Sequence, residues 1–324
     1  MKLITVEEHF DTQANIDQFN QFSEVPNNNP HQEALNGDLK SFACHVAYMD
    51  KYGIDMQVIS DAGNSPQVLP DNMVVASSKA QNDTLAEQIS QYPDRFVGLA
   101  VLPMNKPEDA AKELERAVTE LGLVGGIISG SVNGQFLDDP KFEPVFAMAS
   151  KLDVPLYLHP GVISKEQQAV LYDSKAYSKA TSTLLAGAGW GWHQEQGIQM
   201  VRLIESGLLE KYPNLKLING HWGELVPMFL ERVTEFMTLA DTNLPHDFQF
   251  YYKRNVYITP SGMYTNPQLA LVKAEVGADH MMYAEDYPYI KREDQVHSFI
   301  ENADLTTTER EAIAHGTAEK LFKL

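Results

Sequence analysis

Residues 1–11 read MKLITVEEHFD. An apolar, β-branched run, Leu3-Ile4-Thr5-Val6, passes straight into Glu7-Glu8-His9. The run has the composition of a strand built for a core. In an extended chain alternate residues share a face, so Glu7 and His9 point one way and Glu8 the other. A carboxylate and an imidazole two apart at a strand end are half of a metal site. The plainer reading is a strand that leaves the core for an ordinary polar loop. The rest of the chain decides between the two.

Beyond this start, short β-branched runs alternate with amphipathic segments. The runs are 2–6, 56–60, 96–101, 126–129, 155–158, 215–219, 256–259 and 281–284. Between them stand AAKELERAVTELG, FEPVFAMASKL, GIQMVRLIESGLLEKYP and LVPMFLERVTEFMTLA. Their apolar residues recur at three-to-four spacing, and several end in Gly or Tyr-Pro, as helices do. Strands alternating with helices over this length predict an α/β fold, the (β/α)8 TIM barrel. The competitor is an open doubly wound sheet, but a GxGxxG after the first strand is missing. Residues 1–324 read as one domain, with a polar, Asn- and Gln-rich insertion at 11–45, the least structured stretch. An excursion that long is commonly a functional lid or an insert.

The 324 residues are 44% hydrophobic, and the formal net charge is −19. That charge argues against nucleic acid or an anionic membrane as partner, since both call for a basic surface. It leaves open a small anionic substrate, which a local cation can attract. The single cysteine, Cys44, excludes an internal disulfide and suits a cytoplasmic protein. No apolar stretch reaches the roughly 18 residues of a spanning helix, and no basic-then-apolar signal opens the chain.

The strand ends carry the chemistry. Glu7-x-His9 ends the first run, and His159 ends the fifth as LYLHP. The sixth ends in NGHWGE, with His221 and Glu224, and the eighth in AEDYPY, with Asp286. In a barrel the carboxyl ends of all strands meet at one mouth. Glu7, His9, His159 and Asp286 would converge there as two imidazoles and two carboxylates. Such a set suits Zn²⁺ or Mn²⁺ rather than a thiolate-seeking metal. The fourth run ends without a lysine, so a bridging carbamylated lysine has no source, and one divalent metal ion per chain is expected.

These motifs resemble the amidohydrolase superfamily, within it the metal-dependent decarboxylase branch. That branch includes γ-resorcylate, 2,3-dihydroxybenzoate, 5-carboxyvanillate and aminocarboxymuconate semialdehyde decarboxylases. VEEHF resembles the dihydroxybenzoate decarboxylases. LGLVGGIIS, DDPKFEPVFAMASKLDVPLYLHP, RLIESGLLEKYPNLKLINGHWGE, RNVYITPSG and AEDYPY resemble later stretches, so the similarity runs along nearly the whole chain. The resemblance implies metal binding by Glu7, His9, His159 and Asp286, and catalytic or substrate-contacting roles for His221 and Glu224. It also implies a homodimer or homotetramer. Four departures stand out: Trp222 for a common Met, acidic Glu285 for a small residue, Gly161 for a basic one, and Thr317-Ala318 for Asn-Ala.

The implied activity is that of a carboxy-lyase, a non-oxidative decarboxylase of a small hydroxyaromatic or related unsaturated acid. A metal chelating the carboxylate and an ortho phenolic oxygen would fix the ring. Asp286 would deliver the proton to the ring carbon. His221, its basicity raised by Glu224, would exchange a proton or hydrogen bond with the substrate hydroxyl. Glu224 has a plainer role too, as an acid at a helix start. Trp190, Trp192 and His193, in GWGWHQE, form a substrate wall or pack the loop after the fifth strand. His31, His45, His246, His280, His297 and His315 read as surface or structural. The alternative activity is mononuclear hydrolysis of a lactone or cyclic amide, with Asp286 acting on metal-bound water.

Overall fold

The computed structural model describes residues 1–22, 30–61, 65–240 and 243–324, with 30–32 as backbone only. Seven parallel strands lie side by side in chain order among these residues. They are β1 (Ile4–Phe10), β2 (Met56–Asp61), β3 (Phe96–Val101), β4 (Gly125–Ser129), β5 (Leu156–His159), β6 (Leu217–Asn219) and β7 (Val256–Ile258). The eighth expected run, 281–284, is not a strand. It makes isolated parallel bridges, Met281 to Ile258 of β7 and Tyr283 to Thr5 of β1. The sheet therefore curls until both edges flank one segment, a TIM-barrel-like α/β arrangement without a continuous eighth strand. The physical reason lies beside Tyr283. The N–H groups of Glu285 and Tyr287 donate to the Glu8 carboxylate, at 3.0 and 2.8 Å, and are spent on a side chain instead of a ladder.

Helices fill the connections. After β1 come α1 (Gln13–Phe22), α2 (Pro30–Leu39) and α3 (Phe42–Tyr52); α4 (Val74–Ser90), α5 (Pro107–Thr119) and α6 (Glu143–Leu152) follow β2, β3 and β4. Between β5 and β6 lie α7 (Lys165–Leu171), α8 (Lys179–Ala186), α9 (Gly191–Glu205) and α10 (Leu208–Lys211). Between β6 and β7 lie the short turn α11 (His221–Glu224), α12 (Val226–Met237) and α13 (Phe248–Asn255). The stretch 11–45 is thus helical where it is described, anchored by buried Ile16, Phe19, Leu35 and Leu39; residues 23–29 lie outside the described residues. The Ser41 hydroxyl caps α3 by accepting from Cys44 N–H, at 3.2 Å.

Two apolar layers hold the sheet. Ile4, Val6, Val58, Leu99, Val101, Ile127, Tyr157, Ile218 and Met282 fill its inside. Leu3, Phe10, Ile59, Phe96, Leu158 and Leu217 pack outward against the helices. Each such aliphatic side chain gains about 1.5–3 kcal/mol over exposure. In β1 the inward positions Ile4 and Val6 set an even-numbered phase. A bulge breaks it: the pairing with β2 slips between Val6 and Glu8, and Glu7 takes φ 95°. Glu7 and His9 then face inward, and Glu8 and Phe10 outward.

Candidate metal centre and active site

Glu7 Oε1, His9 Nε2 and His159 Nε2 lie within 4.8 Å of one another. Asp286 joins them, its Oδ1 3.1 Å from His9 Nε2. The other side of each imidazole is tied to backbone. His9 Nδ1–H donates to Asp61 O at 2.8 Å, and His159 Nδ1–H to Pro160 O at 2.7 Å. Both rings thereby turn Nε2 into the pocket, the arrangement metal-ligating histidines adopt. Glu7 is pinned in the same way. Tyr157 and Ser261 hydroxyls donate to its Oε2, and Thr259 Oγ1 does so at 3.1 Å. Glu7 Oε1 is buried without a hydrogen-bond donor, and His9 Nε2 has only the Asp286 carboxylate beside it. Buried polar atoms left unpaired are costly. An unpaired carboxylate oxygen grouped with two imidazole nitrogens and a second carboxylate, all hard or borderline ligand types, fits a divalent metal ion.

The electrostatics agree. Burial, then the neighbouring His9 and His221, hold His159 well below the ordinary imidazole range, which leaves it a neutral lone-pair donor. Burial pushes the Glu7 carboxyl up, against the pull of His221. Burial opposes a charged His9, but Asp286 and Glu7 outweigh it and raise the ring.

The His221–Glu224 pair stands beside this pocket. His221 Nδ1 donates to Glu224 Oε1 at 2.8 Å, and its Nε2 points toward Glu7 Oε1, 4.0 Å away. The backbone here is unusual. His221, Trp222, Gly223, Glu224 and Leu225 all have positive φ, between 48° and 81°. L-residues resist that region, and such strain concentrates at functional sites. Burial works against protonated His221, but Glu224, Glu7 and Asp286 lift it to about 10. Asp286 (φ 71°) and Ser261 (φ 45°) share the strained geometry.

The remaining expectations sort as follows. Trp222 is buried, its indole N–H donating to Met263 O at 2.7 Å, so it packs the strand end. Gly161 abuts β4: a Cβ would meet Ser129 O at 2.6 Å, which bars any side chain there. Glu285 is buried and accepts from the Tyr48 hydroxyl and Arg292 N–H. Thr317 and Ala318 are buried, Ala318 within the inner layer. Trp190 is half-exposed, whereas Trp192 packs beside Ile163, Tyr172 and Ala186. His45 is fully buried against Phe42, Phe96 and Tyr287. His280 stacks on Tyr257 and His246 on Phe250. His297 binds Gly53 O and His315 pairs with Glu319. The side chain of His31 lies outside the described residues. Nothing in the sequence points to a role for Glu8 or decides between the two readings of His193. The first clamps the backbone around Asp286, and the second touches Glu224, 2.8 Å from Nδ1 to Oε2.

A curled parallel sheet with two imidazoles and two carboxylates at its carboxyl ends defines a class: TIM-barrel-like α/β proteins with a candidate divalent-metal centre. The chain belongs to the amidohydrolase family, whose model matches residues 40–324. It is 33% identical over 333 residues to γ-resorcylate decarboxylase of Polaromonas sp. strain JS666, covering 99% of this chain and 98% of that one. The solved structure of 5-carboxyvanillate decarboxylase from Sphingomonas paucimobilis superposes with TM-score 0.91 at 29% identity, covering 100% and 99% of the two chains. Dihydroxybenzoic acid decarboxylase from Polaromonas sp. JS666, solved with manganese and 2-nitroresorcinol, superposes with TM-score 0.88 at 32% identity, over 100% and 97%.

Proposed function

We propose that this chain is a metal-dependent carboxy-lyase that removes CO₂, without oxidation, from a small hydroxyaromatic or related unsaturated carboxylic acid. One observation carries the reading: the unpaired Glu7 Oε1 stands in one cluster with His9, His159 and Asp286, beside the His221–Glu224 pair. The relatives named above, decarboxylases along the full chain, support it over hydrolysis. In this reading Glu7, His9, His159 and Asp286 hold one divalent ion, Mn²⁺ or Zn²⁺. A cation held there would supply positive charge to stabilise an anionic substrate.

The chain's own residues do the proton work. His221, held protonated beside Glu224, donates a hydrogen bond from Nε2 to the ortho oxygen of the substrate and stabilises negative charge there. Asp286 gives a proton to the carbon bearing the carboxylate, forming a C–H bond at the expense of aromaticity. The bond to the carboxylate then breaks, its electron pair returns to the ring, and CO₂ leaves. Asp286 then regains a proton from water. The sum is one carboxylate and one proton giving arene and CO₂.

The same reading takes residues 1–324 as one eight-membered barrel, with 281–283 as its eighth stave and 11–45 as an insertion over the mouth. Tyr289 supports that placement, packing on Leu35 and Leu39 on one side and on His9, 5.7 Å between ring centres, on the other. A cytoplasmic homodimer or homotetramer completes it. Exposed Met228, Phe229, Phe236 and Leu239 on and just after α12 favour self-association, and the net charge of −19 disfavours nucleic acid and membrane. No helix is long and apolar enough to cross a membrane among the described residues. The deciding experiment is a screen of hydroxybenzoates in heavy water with Mn²⁺-loaded protein. We expect CO₂ release and one deuterium on the carbon that lost it. Incorporation of ¹⁸O from labelled water without CO₂ would establish hydrolysis instead.

A further inference from the structure

Glu224 is buried between two imidazoles, not beside one. Its Oε1 accepts from His221 Nδ1 and its Oε2 from His193 Nδ1, both at 2.8 Å. The two rings meet edge to face, 4.4 Å between centres. The three donor groups lie close enough to suggest a second metal site. The hydrogen bonding argues otherwise, because each carboxylate oxygen already accepts one imidazole N–H and His221 Nε2 turns away toward Glu7.

The tautomer of His193 follows from its far side. Its Nε2 is 3.0 Å from the Trp192 indole N–H and 3.1 Å from Ala188 O. A neutral ring accepts from the indole there; a charged ring donates to the carbonyl. In both states Nδ1 keeps its hydrogen and donates to Glu224. The helix is also fixed against its target. Gly197, one turn on from His193, lets α9 approach so closely that a Cβ would sit 2.5 Å from Glu224 O. One face of α9 therefore holds both the backbone and the carboxylate of Glu224. Burial would push the Glu224 carboxyl up, yet His221 and the His193 hydrogen bond hold it below the ordinary range.

We propose that His193 is a positioning residue, which holds Glu224 and through it aims His221 Nε2 into the pocket. The inference rests on the decarboxylase reading for its kinetic effect but not for its geometry. Loss of the His193 donor leaves Glu224 Oε2 buried and unpaired, so the carboxylate turns and His221 loses its fixed orientation.

Three variants and one spectrum test it. His193→Leu in the metal-loaded protein should lower kcat roughly 10–100-fold, with KM and metal content little changed. His193→Asn, whose amide N–H can take the place of Nδ1–H, should recover most of that loss. His193→Gln, with its amide one atom further out, should recover less. Full kcat in the leucine variant, or an asparagine variant no better than leucine, would overturn the proposal. The spectrum uses wild-type, metal-free protein. ¹⁵N resonances should show hydrogen on Nδ1 of both His193 and His221, and a bare Nδ1 on His193 overturns the proposal whatever the variants do. If no hydroxybenzoate loses CO₂, the decarboxylase reading falls while the spectrum still decides the positioning.

Discussion

At the scale of single residues, two of the proposed ligands hold protons more firmly than their free side chains do. Glu7 is raised by burial first and then by Asp286; His9 is raised by Asp286 and Glu7 against its burial. Metal binding requires both groups to bind through lone pairs, so any proton they hold must leave as the metal binds. Titrating Mn²⁺ into metal-free protein in two buffers of different ionisation enthalpy should give different heats, and affinity should fall as pH falls. Asp286→Asn removes a cause of the rise in His9 and should reduce the number released. Equal heats in both buffers would mean that the pocket holds no displaceable proton. Glu7, His9 and His159 were legible as candidate ligands because they stand at the carboxyl ends of β1 and β5, which open on one mouth, and Asp286 because it follows the apolar run 281–284. His193 was not legible in the same way. Its contact with Glu224 depends on how the α7–α8 excursion returns the chain to α9, a path no local spacing encodes.

At the scale of elements, the first strand shows what pattern reading can and cannot supply. Alternation placed Glu7 and His9 together correctly, but the inward phase of Ile4 and Val6 would have put Glu8 inside. The bulge at Glu7 resolves the conflict by inserting one residue. Glu8, turned away, then binds the N–H groups on either side of Asp286. This exchange also explains the missing eighth strand, whose apolar run Met281-Met282-Tyr283 was legible but whose donors past Tyr283 go to Glu8. Glu8→Ala should leave two buried N–H groups unpaired and cost about 2–4 kcal/mol, at roughly 1–3 kcal/mol for each group less partial relief by water. Urea unfolding would measure that loss, and metal affinity should drop with it because Asp286 loses its fixed backbone. Glu8→Gln keeps one acceptor and should fall between. An alanine variant with wild-type stability and metal affinity would show that the clamp does not hold the turn. The helices of 11–45 were hidden for another reason: their polar composition has little periodicity, and only a few anchors such as Phe19 and Leu39 are buried.

At the scale of the whole molecule, two buried groups set opposite pH dependences that overlap. His45 is fully enclosed, and burial lowers it to about 4, against a hydrogen bond to Gln57. Glu285 is raised to about 7 by burial, against the hydrogen bond from Tyr48. Between pH 4 and 6.5 the unfolded chain protonates His45 while the folded protein does not, so stability falls as pH drops through that window. Between pH 4.5 and 7 the unfolded chain loses the Glu285 proton while the folded protein keeps it, so stability falls as pH rises. Each shift of this size is worth on the order of 3 kcal/mol. In metal-free protein these two contributions oppose each other, so each variant is compared with the wild-type pH profile. Single variants should expose the slopes. His45→Gln removes the acid-side loss, so its stability should decline steadily as pH rises across the window. Glu285→Gln keeps an acceptor for Tyr48 and Arg292 but cannot ionise, so its stability should instead climb with pH. Thermal melts of both variants at several pH values decide the matter. Parallel curves for the two would mean that neither group titrates between the folded and unfolded states in this range.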